Sequence, residues 1–223
     1  MGAVWSWPAP LPLLPGLAPL LGVPCRLPRP HGIALTFDDG PHPRGTPATL
    51  EVLAEARAFA TFYLVGEQVE RWPSIAAEIA SAGHEIGLHG YRHRILVRRT
   101  VAALAADLDR ALDVIGDATG RVPTSYRPPY GIFSSGALRL VRRRSLDPLL
   151  WSRWGRDWGA GETAERIARR ATRDLGAGDV VLLHDADHYS APDSWRRMVA
   201  ALPRVIAAGA SLGEPFVPVT QSM

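Results

Sequence analysis

The stretch IALTFDDGPH, residues 33–42, decides how the rest of the chain is read. Ile33 to Phe37 form an apolar run of strand length that ends on two adjacent carboxylates, Asp38 and Asp39. Neighbouring like charges repel, and burying either one unpaired costs on the order of several kcal/mol. The strand must therefore end where positive charge is supplied from other parts of the chain.

Outward from this stretch, short apolar runs recur at about 33–37, 61–65, 84–88, 124–127, 148–152, 179–184 and 215–219. Longer stretches of helical character separate them, at 47–58, 72–82, 100–118, 133–145, 162–175 and 193–208. The clearest is VAALAADLDRALDVIG, in which Leu104, Leu108, Leu112 and Ile115 recur at helical spacing. Strands alternating with helices predict an α/β fold with a parallel sheet, either doubly wound or closed as a (β/α) barrel. The unusual polar clusters favour the barrel. TFDDG, EIGLHGYRH, SYRPPYG, WGRDW and VVLLHD all follow apolar runs, and in such barrels the C-terminal strand ends converge on one mouth that carries the active site.

The length of 223 residues suits one barrel-sized domain or two smaller ones, and a 47% hydrophobic content supports a real core. Formal charge is +3, and all 25 basic residues are arginine. The runs Arg98-Arg99 and Arg142-Arg143-Arg144 are short enough to read as solvated helix faces, so no nucleic-acid partner is expected. Cys25 is the single cysteine, which rules out an internal disulfide and a cysteine-based zinc site, and without asparagine there is no N-glycosylation acceptor. Residues 1–31 differ from the remainder, with eight prolines among the first thirty residues. They lack the positive start and unbroken apolar stretch of a secretory signal, and their prolines would break a spanning helix. They read as a proline-rich, non-catalytic arm before a single domain over 32–223; a misplaced start inside a longer leader is the alternative.

His89 and His93 stand four residues apart, which on a helical turn would place both imidazoles on one face. Together with Asp39 they would make two histidines and one carboxylate, a set that holds a divalent cation while leaving positions open for water and a substrate oxygen. That answers the demand for positive charge. One aspartate binds the cation, and Asp38 is free to take a proton from a water whose pKa the cation lowers towards about 7.

These residues carry a resemblance. From about residue 32 to 213 the chain resembles the polysaccharide deacetylases, the family 4 carbohydrate esterases with a NodB homology domain. TFDDGP (36–41), HGYRH (89–93), RPPYG (127–131), GRDW (155–158) and LLH (182–184) appear in the family's order. The resemblance implies a metal-dependent hydrolase on a distorted (β/α) barrel of about seven parallel strands, removing acetyl groups from amino-sugar glycans such as peptidoglycan or a chitin-like oligosaccharide. It implies Asp38 as base and Asp39, His89 and His93 as ligands of zinc, with cobalt or nickel as other divalent choices. Arg127 would orient the base, the backbone of Tyr130 would meet the oxyanion, and His184, held by Asp157, would protonate the departing amine. Trp158 and Leu182 would wall the acetyl methyl group, with Pro129 on the same substrate side. An O-acetyl esterase on xylan-type glycans and a catalytically silent glycan-binding module are the competing readings. A monomer is expected, at the cell envelope or outside the cell as the substrate class suggests.

The family pattern is broken at Leu88, Gly90 and Trp154. Gly90 replaces the hydroxyl residue that ordinarily steadies the metal loop, so the ligands there are either positioned more loosely or held in another way. His31, His42 and His84 read as surface or loop-packing residues. HDADHYSAPDSW, residues 184–195, reads more readily as a solvated acidic loop than as an extension of the pocket. Trp151, Trp154 and Trp158 fall near the site by spacing.

Overall fold

A computed structural model describes residues 22–96 and 99–220 of the chain. β1 (Ala34–Asp38) lies inside the sheet between β2 (Thr61–Leu64) and β7 (Val180–His184). Beyond β2 come β3 (Glu85–Leu88), β4 (Ser125–Tyr126) and β5 (Asp147–Pro148), and outside β7 comes β6 (Arg153–Trp154). Every paired neighbour is parallel. All residues of β1 and β2 are buried, as strands covered on both faces must be, and this explains their continuous apolar sequence.

The expected strand at 148–152 is two strands, because the chain changes partner there. β5 pairs with β4 through Tyr126 and Pro148, and five residues after Pro148 β6 pairs with β7. The sheet is thus brought round into a distorted (β/α) barrel by a chain that crosses from one edge to the other. The expected strand at 215–219 is reduced to a single parallel bridge between Ile33 and Phe216.

The covering helices are α1 (Gly45–Glu55), α2 (Gly66–Arg71), α3 (Pro73–Ser81), α4 (Val101–Thr119), α5 (Ser135–Arg143), α6 (Ala164–Ala171) and α7 (Ser194–Ser211). In α4, Leu104, Leu108, Ala111 and Ile115 are the buried stripe, Thr100 caps the N-terminus by accepting from the Ala103 amide, and Gly120 ends the helix at φ 66°. Fully burying a leucine such as Leu108 contributes roughly 1.5–3 kcal/mol. α2 is absent from the sequence expectation, which placed one helix at 72–82; its six residues are too few to show a period.

Of the proline-rich arm, residues 1–21 lie outside the described residues. Further along it, Val23, Cys25 and Leu27 are buried. The Leu150 amide donates to Pro24 O and the Leu27 amide to Gly178 O, each at 2.9 Å. Arg98 also lies outside the described residues; Arg142 and Arg143 are exposed at the end of α5, and Arg144 pairs with Asp109. No helix among the described residues is long and apolar enough to cross a membrane.

Candidate active site

Five strand ends meet in one cleft of about 280 Å³. β1 ends on Asp38, and Asp39 turns the chain at φ 78°, a left-handed conformation that aspartate tolerates better than most residues. Both carboxylates thereby reach the cleft, and both are buried.

Arg127, just after β4, is fully buried beside them. Its Nη1 donates to Asp38 Oδ1 at 2.7 Å and to Thr36 Oγ1 at 2.8 Å. Its Nε and Nη2 donate to the carbonyls of Leu149 and Leu150 at 3.2 and 2.9 Å. These are the residues that cross between β5 and β6, so one guanidinium fills the gap in the barrel and pairs with Asp38. The guanidinium also lies 4.1 Å from the centre of the Tyr63 ring.

His89 and His93 are not on a helix. They belong to the loop after β3, where Gly90 adopts φ 89°, a conformation open chiefly to glycine. The loop has other anchors in place of a hydroxyl at position 90. The Gly66 and Glu67 amides at the start of α2 donate to the carbonyls of Gly90 and Tyr91, each at 2.9 Å. The Tyr91 amide donates to Asp107 Oδ2 and its hydroxyl to Glu70 Oε2, both at 2.8 Å.

The loop brings the Nε2 atoms of His89 and His93 to 3.5 and 3.3 Å from Asp39 Oδ1. Oδ1 is buried and has no hydrogen-bond partner among the described residues. His89 Nδ1 donates to Arg127 O at 2.7 Å, which leaves its Nε2 lone pair facing the carboxylate. One ligand atom from each of the three residues lies within 4.8 Å of the others. An orphaned buried oxygen and two convergent imidazoles fit a divalent cation. Burial would raise the Asp39 carboxyl, but the close approach of His89 and the charge of His184 hold it at about 2. Burial pulls His93 down to about 4, so it is neutral near pH 7.

On the opposite side, β7 places His184 in direct register with Asp38 of β1. Its Nδ1 lies 2.9 Å from Asp157 Oδ1, and its amide donates to Asp157 Oδ2 at 2.7 Å. Burial alone would lower this imidazole; the Asp157 carboxylate, helped by Asp39 and Asp38, pushes it up to about 10. Leu182 lines the cleft floor, and Trp158 meets the His184 ring edge-on at 5.6 Å. Trp154, 38% exposed, stands between Trp151 and Trp158 at 6.0 and 5.4 Å. Tyr130, 53% exposed and at φ 60°, lines the cleft, while Pro129 is buried and does not line it.

The loop after β7 departs from its solvated reading. Asp185 is fully buried and accepts from the Thr46 hydroxyl. Its burial pushes the carboxyl up to about 7, a shift only partly offset by that hydrogen bond. Tyr189 and Ser190 line the cleft. Neither was singled out in the sequence; the available signal was an aromatic residue a few positions after a strand end. His42 packs at the start of α1, accepting from the Gly45 amide at 2.8 Å, His84 is buried against Phe62, and His31 is exposed.

Comparison with known proteins adds a family signal. Residues 27–148 match the family model described as polysaccharide deacetylase. A chitooligosaccharide deacetylase of Azorhizobium caulinodans is 36% identical over 154 residues, covering 69% of this chain and 73% of the relative. A peptidoglycan-N-acetylglucosamine deacetylase of Bacillus cereus is 31% identical over 192 residues, 85% of this chain and 86% of the relative. Among solved structures, a peptidoglycan N-acetylglucosamine deacetylase bound to a naphthyl-substituted N-hydroxybenzamide aligns with TM-score 0.82 at 28% identity, covering 90% of this chain and 91% of that one.

Proposed function

Because this chain belongs to the polysaccharide deacetylase family, we propose that it hydrolyses the acetamide of an N-acetylated amino-sugar glycan, such as peptidoglycan or a chitin-like oligosaccharide. Asp39, His89 and His93 would hold a divalent cation, with zinc the first choice for two imidazoles and a carboxylate. Once bound, the cation acts as a Lewis acid, making water more acidic and the acetyl carbonyl more electrophilic.

Asp38 takes the proton from the attacking water as the new bond to the acetyl carbon forms. Its hydrogen bond from Arg127 aims the carboxylate and keeps the proton acceptor in one orientation. The backbone N–H of Tyr130 stabilises the oxyanion, a kind of contact worth about 2.7–4 kcal/mol when lost elsewhere. The C–N bond then breaks with its electron pair on nitrogen, and His184 supplies the proton that makes the amine a leaving group. Asp157 keeps that proton on His184 at neutral pH. Acetate and the free amine leave, while Leu182 and Trp158 enclose the methyl group.

One observation carries this reading. A carboxylate tied to arginine and an imidazole tied to aspartate sit at matched register positions beside a convergent Asp–His–His cluster. Acetate release tests it, using N-acetylglucosamine oligomers and acetylated xylan with chelator-treated and Zn2+-restored protein. Acetate and a new free amine from the N-acetyl oligomers, dependent on the metal, are expected. Asp38→Asn should lower turnover by about 10²–10⁴ while leaving Zn2+ bound. A variant that keeps most of its activity would refute the base assignment, and acetate from xylan alone would point to an esterase.

A further inference from the structure

The two histidines of the cluster are steadied by different means. His89 is fixed by a hydrogen bond from Nδ1 to the Arg127 carbonyl. His93 Nδ1 is buried and has no hydrogen-bond partner among the described residues. What lies against His93 instead is Tyr189, from the loop after β7. The two rings are 4.2 Å apart at their centres and tilted by 12°. Tyr130 closes the arrangement edge-on, 4.5 Å from the imidazole.

Tyr189 is itself tethered at its far end. Its hydroxyl donates to Glu67 Oε1 at 2.7 Å and accepts from Gln68 Nε2 at 2.9 Å. Glu67 and Gln68 belong to α2, the element whose amides also pin the loop that carries His93. The stacked ring and the stacked-upon imidazole are therefore referenced to the same short helix. A near-parallel aromatic face restricts rotation of an imidazole about χ2, the freedom that a hydrogen bond to Nδ1 would otherwise remove.

We propose that Tyr189 is a positioning residue for the cation site: its tethered ring holds the His93 imidazole with Nε2 turned towards Asp39. This rests on the reading of Asp39, His89 and His93 as a cation site. The role belongs to the aromatic face and not to the hydroxyl alone. It also gives a function to the HDADHYSAPDSW stretch, which reaches back across the mouth from β7 to the metal loop.

The test is the Zn2+ affinity of the full chain, titrated in competition with a chromophoric chelator, together with KM and kcat at saturating Zn2+. Tyr189→Phe keeps the ring but loses its tether, and should keep most of the parent's affinity. Tyr189→Leu removes the face and should weaken Zn2+ binding by about 10–100-fold, the usual effect of losing a group that orients a ligand. If the leucine variant does not melt cooperatively, Tyr189→Gln gives the same comparison with a polar side chain. Parent-like affinity in the non-aromatic variant overturns the proposal, as does an equal loss in Tyr189→Phe. A rise in KM with Zn2+ affinity unchanged also overturns it, making Tyr189 a wall of the sugar pocket. A parent chain that takes up no Zn2+ overturns the cation site as well, which separates the failure of the two readings.

Discussion

His184 and Asp185 are neighbours at the end of β7, and burial acts on both, with opposite consequences for charge. Burial favours the neutral form of each, but His184 has the Asp157 carboxylate on Nδ1 and is held charged up to about pH 10. Asp185 has the neutral Thr46 hydroxyl as its side-chain partner, and burial pushes it up to about 7. If His184 delivers the proton to the leaving amine, kcat/KM falls on the alkaline side as that proton is lost. Asp157→Asn removes the main charge that retains it, so the alkaline limb should move down by about 1–3 pH units. A limb that stays in place in a pH–rate profile would remove His184 from the acid role. Asp185 makes a prediction about stability. Its carboxyl is raised on folding, so its contribution is fully present below the ordinary value near 3.8 and is lost as pH rises through about 7. Asp185→Asn cannot ionise. Its melting temperature should therefore gain on the parent's between pH 4 and pH 7, and the gap should then stay constant. Each kcal/mol of that gap corresponds to about 2–4 °C for a chain of this size. Parallel melting curves at pH 4.5 and pH 8 would show instead that Asp185 is not charged at the expense of the fold.

Among the elements, α2 does the most for the site relative to its length. Its first two amides hold the carbonyls of Gly90 and Tyr91, and Gly66 lets the helix come close enough to do so. A Cβ at position 66 would stand 2.8 Å from the Tyr91 ring, 3.1 Å from Tyr91 Cα and 3.3 Å from Ala111 Cα. Two of those neighbours are backbone, so a rotamer change cannot relieve the contact. Gly66→Ala should cost about 1–3 kcal/mol by overpacking. It should also weaken Zn2+ binding, because the displaced loop carries His89 and His93. Thermal melting with and without Zn2+ checks both effects. This element also marks the limit of what the sequence conveys. Long α4 was legible because Leu104, Leu108 and Ile115 repeat over about three turns, and the central strands because both their faces are buried. Asp38, Asp39, His89 and His93 were legible as site candidates because parallel topology sends strand ends to one mouth and their side chains suit a cation, whereas Arg127, Asp157 and His184 were singled out through the family resemblance. The four-residue histidine spacing suggested a helix because spacing alone does not distinguish a helical turn from a loop bent at Gly90. The change of partner between β5 and β6 is a property of barrel closure and leaves no local pattern. Tyr189 stayed hidden among acidic neighbours because its role depends on a ring brought from a different strand.

For the molecule as a whole, the barrel gathers more negative charge at its mouth than its own cations cover. Asp38, Asp39 and Asp157 are buried there, and Arg127 and His184 are the positive partners that touch Asp38 and Asp157. The remaining carboxylate is Asp39, with one oxygen buried and unpartnered among the described residues. A bound divalent cation would balance that charge only in the folded state, since the three ligand residues come from two separate strand ends. Ligand binding to the folded form alone stabilises it by about 2.7 kcal/mol at a hundredfold excess over Kd. For a chain of this length that corresponds to about 5–11 °C. Chelator-treated protein should therefore melt lower than the same protein with Zn2+ restored. The gain should vanish in His89→Ala and in Asp39→Ala, and it should fade as pH falls through about 4, where His93 takes up a proton. Differential scanning calorimetry across Zn2+ concentrations reads all three. If the parent and His89→Ala gained equally, Zn2+ would be binding elsewhere on the surface, and the charge gathered by the five strand ends would need a different counter-ion.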